Sequence, residues 1–251
     1  MIDADRHLLL EGIRNFRDYG GYAVAGGGQL RRGLLFRSAQ HGRASDADLD
    51  VVAGLQLAVI IDLRGPRERA ASPSRRPAGS TAAVLYVDAD TTGLAPHVEA
   101  ARGARDPDAA RAAMARGYAE LPFRPRLVPI LARYFEALAD YDGPSLIHCM
   151  AGKDRTGIAV ALLHAMLGVH RDDWMADYML TNRAGLFEDG GLLEPEIDDP
   201  TRRVLMGVDP SYLDAAFAAM FAQHGSVDAY LRDVLGVDRA RYEAIAARLI
   251  A

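Results

Sequence analysis

Apolar residues follow two rhythms along this chain. Ala58–Ile61, Val84–Val87 and Ser145–Ile147 are short, nearly unbroken runs, the profile of strands buried on both faces of a parallel sheet. Elsewhere the period is helical. Leu127, Ile130, Leu131, Tyr134, Phe135 and Leu138 fall on one face and predict an amphipathic helix. Ile158 to Leu167 is apolar all round, which predicts a buried helix ended by Gly168, with His164 as a satisfied core histidine. Ser45 and Asp48 form a capping box for a short helix, and residues 97–120 read as one or two helices with Asp108 as N-cap. Tyr22–Val24 and Leu34–Phe36 flank Gly26-Gly27-Gly28 and predict a hairpin. Residues 172–188 predict a further helix, and 188–199 is acidic and broken by glycine and proline. Past Pro210, three short apolar stripes are punctuated by Gly225 and Gly236, with Ser226 and Asp238 as caps. This order predicts an α/β fold: a mainly parallel central sheet flanked by helices, with a helical C-terminal part, in one domain over 1–251.

Composition narrows the class. Half of the 251 residues are apolar and a quarter charged, enough for a large core in one globular domain. A net charge of −5 with no basic block argues against nucleic acid as a partner. The single cysteine excludes an internal disulfide framework and fits a reducing compartment. No apolar run is long enough to span a membrane, and Leu8-Leu9-Leu10 is too short for a signal-peptide core. The expectation is a cytoplasmic protein, and export without a signal peptide is compatible with it. The seven histidines show no metal-ligand spacing, and no metal or organic cofactor is implied.

The chemistry concentrates in His148-Cys149-Met150-Ala151-Gly152-Lys153-Asp154-Arg155-Thr156-Gly157. Strand, glycine turn and helix in that order aim backbone N–H groups and a helix dipole at an anion. Cys149 is the one cysteine, Lys153 the one lysine among 29 lysines and arginines, and Arg155 offers a planar two-pronged phosphate ligand. An ordinary thiol, with a pKa of about 8.5, is only about 3% ionised at pH 7, and a drop of about three units raises that roughly thirtyfold. The weaker base is roughly twentyfold less nucleophilic, so the two effects nearly cancel. Acceleration must come from the amides of residues 150–155 and from Arg155, aimed at the oxygens of a transferring phosphoryl group. The loop lacks the Gly-x4-Gly-Lys-Ser/Thr of nucleotide loops. A cysteine protease needs a histidine facing the thiol, whereas His148, adjacent on a strand, points the other way and reads as a supporting hydrogen-bond partner. A catalytically silent phosphate-binding module is the alternative from another class.

His-Cys-x-x-Gly-x-x-Arg-Thr-Gly resembles the signature of the protein-tyrosine phosphatase superfamily, and HCMAGKDRTG resembles its atypical bacterial branch, the tyrosine phosphatase B/lipid phosphatase A type. Asn15-Phe16-Arg17-Asp18-Tyr19-Gly20-Gly21-Tyr22, Phe36-Arg37-Ser38, Ile60-Ile61-Asp62-Leu63-Arg64 with Glu68-Arg69, and Asp177–Asn182 extend the likeness, although Tyr19 stands where leucine is expected. It covers the chain from Gly12 onward, except about residues 93–120 and 184–208. The resemblance implies phosphomonoester hydrolysis through a phosphocysteine, on a phosphorylated protein or a phosphoinositide, with inorganic phosphate as product and inhibitor.

It also implies Asp154 as the general acid, with Asp62, Asp88 and Asp90 as competitors. Thr156 is expected to donate to the Cys149 sulfur, and Lys153 to meet a second anionic group. Asp62 and Arg64, at a strand's carboxyl end, are either substrate-binding residues or an ion pair. Arg17 with Asp18 reads as a structural pair, as do Arg37 and Ser38. Residues 184–208 are a candidate mobile cover.

Overall fold

The computed structural model describes residues 6–88, 96–102, 106–184 and 197–251. Its centre is a five-stranded sheet of Arg17–Asp18 (β1), Leu35–Ser38 (β2), Val59–Asp62 (β3), Ala83–Leu85 (β4) and Ser145–His148 (β5), in the order β1-β2-β5-β3-β4. All neighbours are parallel except β1, which runs antiparallel along the edge of β2. The three inner strands are buried throughout, β3 and β5 as their apolar runs require, while the run at Val84–Val87 supplies the half-buried edge strand β4. Side chains alternate between faces. Leu35, Val59, Ile61 and Ile147 enter one apolar cluster, and Phe36, Ile60 and Leu146 enter the other.

The helices are Asp46–Gly54 (α1), Pro66–Ala71 (α2), Pro96–Ala101 (α3), Pro107–Glu120 (α4), Val128–Asp140 (α5) and Asp154–Met166 (α6). They continue with Arg171–Met179 (α7), Asp199–Met206 (α8), Pro210–His224 (α9), Val227–Leu235 (α10) and Arg239–Leu249 (α11). The capping box of α1 forms as read, and Ser226 and Asp238 cap α10 and α11. The helix of the amphipathic stripe is α5, and α6 is buried along almost its whole length.

Four expectations differ from the structure. The glycine turn does close a hairpin, but in another register: Tyr22 and Val24 bond to Leu30 and Gly28, while Leu35–Ser38 lies between β1 and β5. The second arm of the turn is thus Gly28–Leu30, and β2 pairs antiparallel with β1 on one side and parallel with β5 on the other. The N-cap of α4 is Asp106, whose carboxylate takes the Ala109 N–H; Asp108 sits in the first turn and pairs with Arg111. The helix after α6 ends at Met179 and tightens into a 3-10 turn over Leu180–Ala184. Within 184–208, the residues from Asp199 on form α8, whose Leu205 and Met206 are buried in the main cluster, so that half is a wall and not a free cover. Gly190, Gly191 and Asp90 lie outside the described residues.

His164 in α6 is fully buried and bonds the Tyr19 carbonyl through Nε2 at 2.8 Å, while Nδ1 has no partner. Burial is the main cause that lowers its pKa from 6.5 to about 4. The unfolded chain therefore binds the proton first, and stability present above pH 6.5 is lost as pH falls towards 4, by about 3 kcal/mol for this residue. Buried His41 and His148 are lowered too and add to the slope. Urea midpoints measured across that window should fall with acidification, and His164→Gln should flatten the dependence in part. An unchanged slope in the variant would show that His164 is not penalised in the fold.

Candidate active site

The carboxyl ends of β2, β3 and β5 meet at one edge, where parallel sheets leave space for ligands. β5 ends at His148, and Cys149 to Lys153 form the turn into α6. Gly152 makes the turn possible. Its φ is +65°, and a Cβ there would lie 2.3 Å from the Ser38 carbonyl oxygen at the end of β2. The carbonyl of Met150 accepts the Gln40 N–H at 3.0 Å. The carbonyl of Gly152 accepts from Asn15 Nδ2 at 2.9 Å and from Arg37 Nη2 at 2.8 Å, with the Ala151 carbonyl 3.4 Å from the same Asn15 nitrogen. The two groups of a trans peptide point opposite ways. The N–H groups that follow these carbonyls therefore turn away from the frame that holds them. No side chain caps the start of α6, so amide donors and the positive end of a helix dipole converge there.

The frame is itself an ion-paired cluster. Arg37 Nη1 donates to Asp177 Oδ2 at 2.9 Å, and Arg17 donates to Asp177 Oδ1 at 3.2 Å and to its carbonyl at 2.8 Å. Arg17 also donates to Asn15 Oδ1, which leaves the Asn15 amide nitrogen facing the loop. Asn15, Arg17, Arg37 and Asp177 are all at most 3% exposed. Burial would raise the Asp177 carboxyl, but the two guanidiniums hold it well below the carboxylate range. Burial and Arg37 lower Arg17 to about 10. The expected Arg17–Asp18 pair is not made. Asp18 instead accepts the N–H groups of Gly20 and Gly33.

Cys149 is 2% exposed at the mouth of the turn. Arg155, in the first turn of α6, is gripped by both Glu68 oxygens at 2.6 and 2.7 Å and donates to the Leu63 carbonyl at 3.0 Å. Burial opposes its charge, but Glu68 and Cys149 outweigh that and strengthen it. Glu68 was legible only as part of a motif; the fold makes it the aligner of Arg155. Asp154 Oδ1 accepts from Tyr118 at 2.6 Å, with Lys153 Nζ 3.8 Å away. Thr156 Oγ1 is buried without a hydrogen-bond partner, so the expected donation to the Cys149 sulfur is not made.

The other expected residues face elsewhere. Asp62 and Arg64, candidates for substrate binding, are turned to each other at 2.8 and 2.9 Å, and Arg64 also ties down Ser72 and Ser74. Burial raises Asp62, but His148 and Arg64 outweigh it and bring its pKa to about 2. Lys153 is fully buried, with Nζ on the carbonyls of Leu205 and Gly207 at 2.6 and 3.1 Å, at the negative end of α8. His148 stacks on His41 at 5.3 Å and lies 3.7 Å from Asp62, behind the loop. Asp88 is exposed and pairs with Arg69. Met150 and Ala151 are half-buried on the loop. A cleft of about 460 Å³ lined by Arg203, Gly207 and Tyr212 lies behind the Lys153 anchor, away from Cys149. Among the described residues, no group of three or more His, Cys, Asp or Glu side chains is set to hold a metal ion. Nor is any described helix long and apolar enough to cross a membrane.

A glycine turn with outward-held carbonyls, feeding a helix from the centre of a parallel sheet, gathers amide donors at one mouth, the kind of place where anions bind. Comparison with known proteins gives the class its name. The chain belongs to the tyrosine phosphatase family, whose model matches residues 8–251, and it is a phosphatase. A Cupriavidus necator protein carrying a provisional tyrosine-protein phosphatase name is 38% identical over 94% of this chain and 87% of its own. The triple specificity protein phosphatase PtpB of Mycobacterium tuberculosis is 34% identical over 92% of this chain and 94% of its own. A Nostoc commune tyrosine-protein phosphatase is 28% identical over 85% and 73%.

Asp177→Asn would leave two arginines buried with their compensating charge removed. Breaking such a pair costs about 3–5 kcal/mol, and the Gly152 carbonyl loses its support. Urea unfolding should register that loss, whereas Asp18→Asn should stay well below it. Equal, small losses in both variants would show that the cluster is not what holds the loop.

Proposed function

We propose that this phosphatase hydrolyses phosphomonoesters through a phosphocysteine formed on Cys149. The observation that carries the reading is the loop itself: a cysteine at the mouth of a turn whose carbonyls are tied outward, so that its amides turn to the mouth, with Arg155 held beside them by Glu68. In the first step the Cys149 sulfur attacks phosphorus in line, the S–P bond forms as the ester P–O bond breaks, and Asp154 protonates the leaving oxygen. In the second, water attacks phosphorus, its proton returns to Asp154, and the S–P bond breaks to release inorganic phosphate and the thiolate. The chemistry needs no metal or organic cofactor.

Phosphotyrosine is the first substrate to expect, because a phenolate leaves more readily than an alkoxide. The M. tuberculosis relative is named for triple specificity, which supports more than one substrate class here; phosphoserine, phosphothreonine and phosphoinositides are the further candidates. Lys153 contributes nothing to a second anionic group while it is bound to the end of α8. A phosphoinositide preference carried by Lys153 would require that anchor to open.

Cys149→Ser should give no measurable turnover of an aryl phosphate yet still bind it, because the cradle is intact and a serine hydroxyl stays protonated at neutral pH. Turnover within tenfold of the parent would exclude the covalent route, and a parent enzyme with neither burst nor hydrolysis would be a silent phosphate-binding module. Asp154→Asn should remove the basic limb of the pH–rate profile. It should also slow alkyl esters by roughly 10²–10⁴-fold and aryl esters much less. If that limb survives in Asp154→Asn and vanishes in Asp62→Asn or Asp88→Asn, the acid lies on the neighbouring strand ends.

A further inference from the structure

Asp154 does not stand alone in its turn. Tyr118 donates to Asp154 Oδ1 at 2.6 Å, and Tyr178 donates to the Tyr118 hydroxyl at 2.7 Å. Among the described residues, Oδ2 has no hydrogen-bond partner. One oxygen is thus fixed and the other is left for a transferable proton. Both tyrosines are at most 1% exposed. Burial, reinforced by Asp154, pushes both phenols well above their usual range, so they stay protonated and can only pass a hydrogen bond towards the carboxylate.

The chain of hydroxyls is built by the fold from three separate elements. Tyr118 is on α4, Tyr178 on α7 and Asp154 at the start of α6. The Tyr178 ring lies against α6 at Gly157, where a Cβ would sit 2.8 Å from its Cε2. The last glycine of the loop motif therefore opens the space that lets Tyr178 reach in. The Tyr118 ring also packs on Tyr212 of α9 at 5.3 Å and on Tyr178 at 6.4 Å. Tyr118 comes from residues 93–120, where the motif resemblance found no counterpart.

We propose that Tyr118, supported by Tyr178, is the positioning residue for Asp154: it holds one carboxyl oxygen so that the other faces the leaving group. This rests on Asp154 as general acid. Removing the donor frees the fixed oxygen and leaves the acid poorly aimed, a loss that grows with the leaving group's need for a proton.

The experiment is a pH series of kcat and KM for two substrates, an aryl phosphate and an alkyl phosphate, with Tyr118→Phe, Tyr178→Phe, the double variant and Asp154→Asn. Phenylalanine keeps the ring contacts, and the double variant leaves no stranded hydroxyl, so it serves if Tyr118→Phe alone folds poorly. Tyr118→Phe should lower kcat for the alkyl ester roughly tenfold, a part of the roughly 10²–10⁴-fold that a general acid supplies. It should barely touch the aryl ester and leave KM within about twofold; Tyr178→Phe should do the same more weakly. On the Asp154→Asn background, Tyr118→Phe should add no further leaving-group dependence. Equal losses on both substrates, while Asp154→Asn discriminates, would overturn the positioning role and leave the acid in place. If Asp154→Asn itself fails to discriminate, the acid assignment falls and this proposal falls with it.

Discussion

The hydrogen bonds from Arg37 and Asn15 to the Gly152 carbonyl are the constraint on which the rest of the site depends. A loop that presents its amides to an anion must point its carbonyls somewhere else, and in a buried setting each carbonyl needs a donor. The chain supplies those donors from its first strand pair, 115 and 137 residues away, and stabilises them through one carboxylate on α7. Two buried guanidiniums beside one buried carboxylate leave a positive charge directly behind the turn. That charge is costly to bury, and it adds to the positive end of α6 in favouring an anion at the mouth.

The cations named around Cys149 are each engaged before any substrate arrives. Arg155 is gripped by Glu68, Arg64 by Asp62, Arg37 by Asp177, and Lys153 by the carbonyl end of α8. Held in this way, they contribute direction without collapsing onto the loop. The arrangement also ties the site to distant parts of the fold. Through Lys153 the turn is fastened to α8, and through Tyr118 the first turn of α6 is fastened to α4, which packs against α8 and α9. The helical C-terminal part is thus attached to the chemistry at two points.

The strands and most helices were legible because their signals are local. An unbroken apolar run, a stripe at helical spacing or a capping residue is visible within a dozen positions, as at β3, α5 and α1. The failures came where a distant partner outcompeted a near one. The Gly26-Gly27-Gly28 turn closes the hairpin it suggested, but with Gly28–Leu30 as its second arm, because β2 is held between β1 and β5. Arg17 and Asp18 are adjacent in sequence, but neighbours on a strand point to opposite faces. Arg17 therefore found Asp177, 160 residues on, while Asp18 turned to the backbone of Gly20 and Gly33.

The sequence by itself determined the chemistry on offer: one cysteine, an arginine six positions later, a glycine where the turn must lean on a neighbouring strand, and a helix start that leaves amides free. These follow from residue type and spacing along a few adjacent positions. Only the tertiary structure decided which charged groups face that site and which hold it from behind. Glu68 became the aligner of Arg155, Tyr118 the partner of Asp154, and Lys153 an anchor for α8 rather than a reach towards solvent. The reason is physical: a charged or polar side chain in a closed core takes whichever partner satisfies it there. That partner is set by how helices and strands pack, not by its neighbours along the chain.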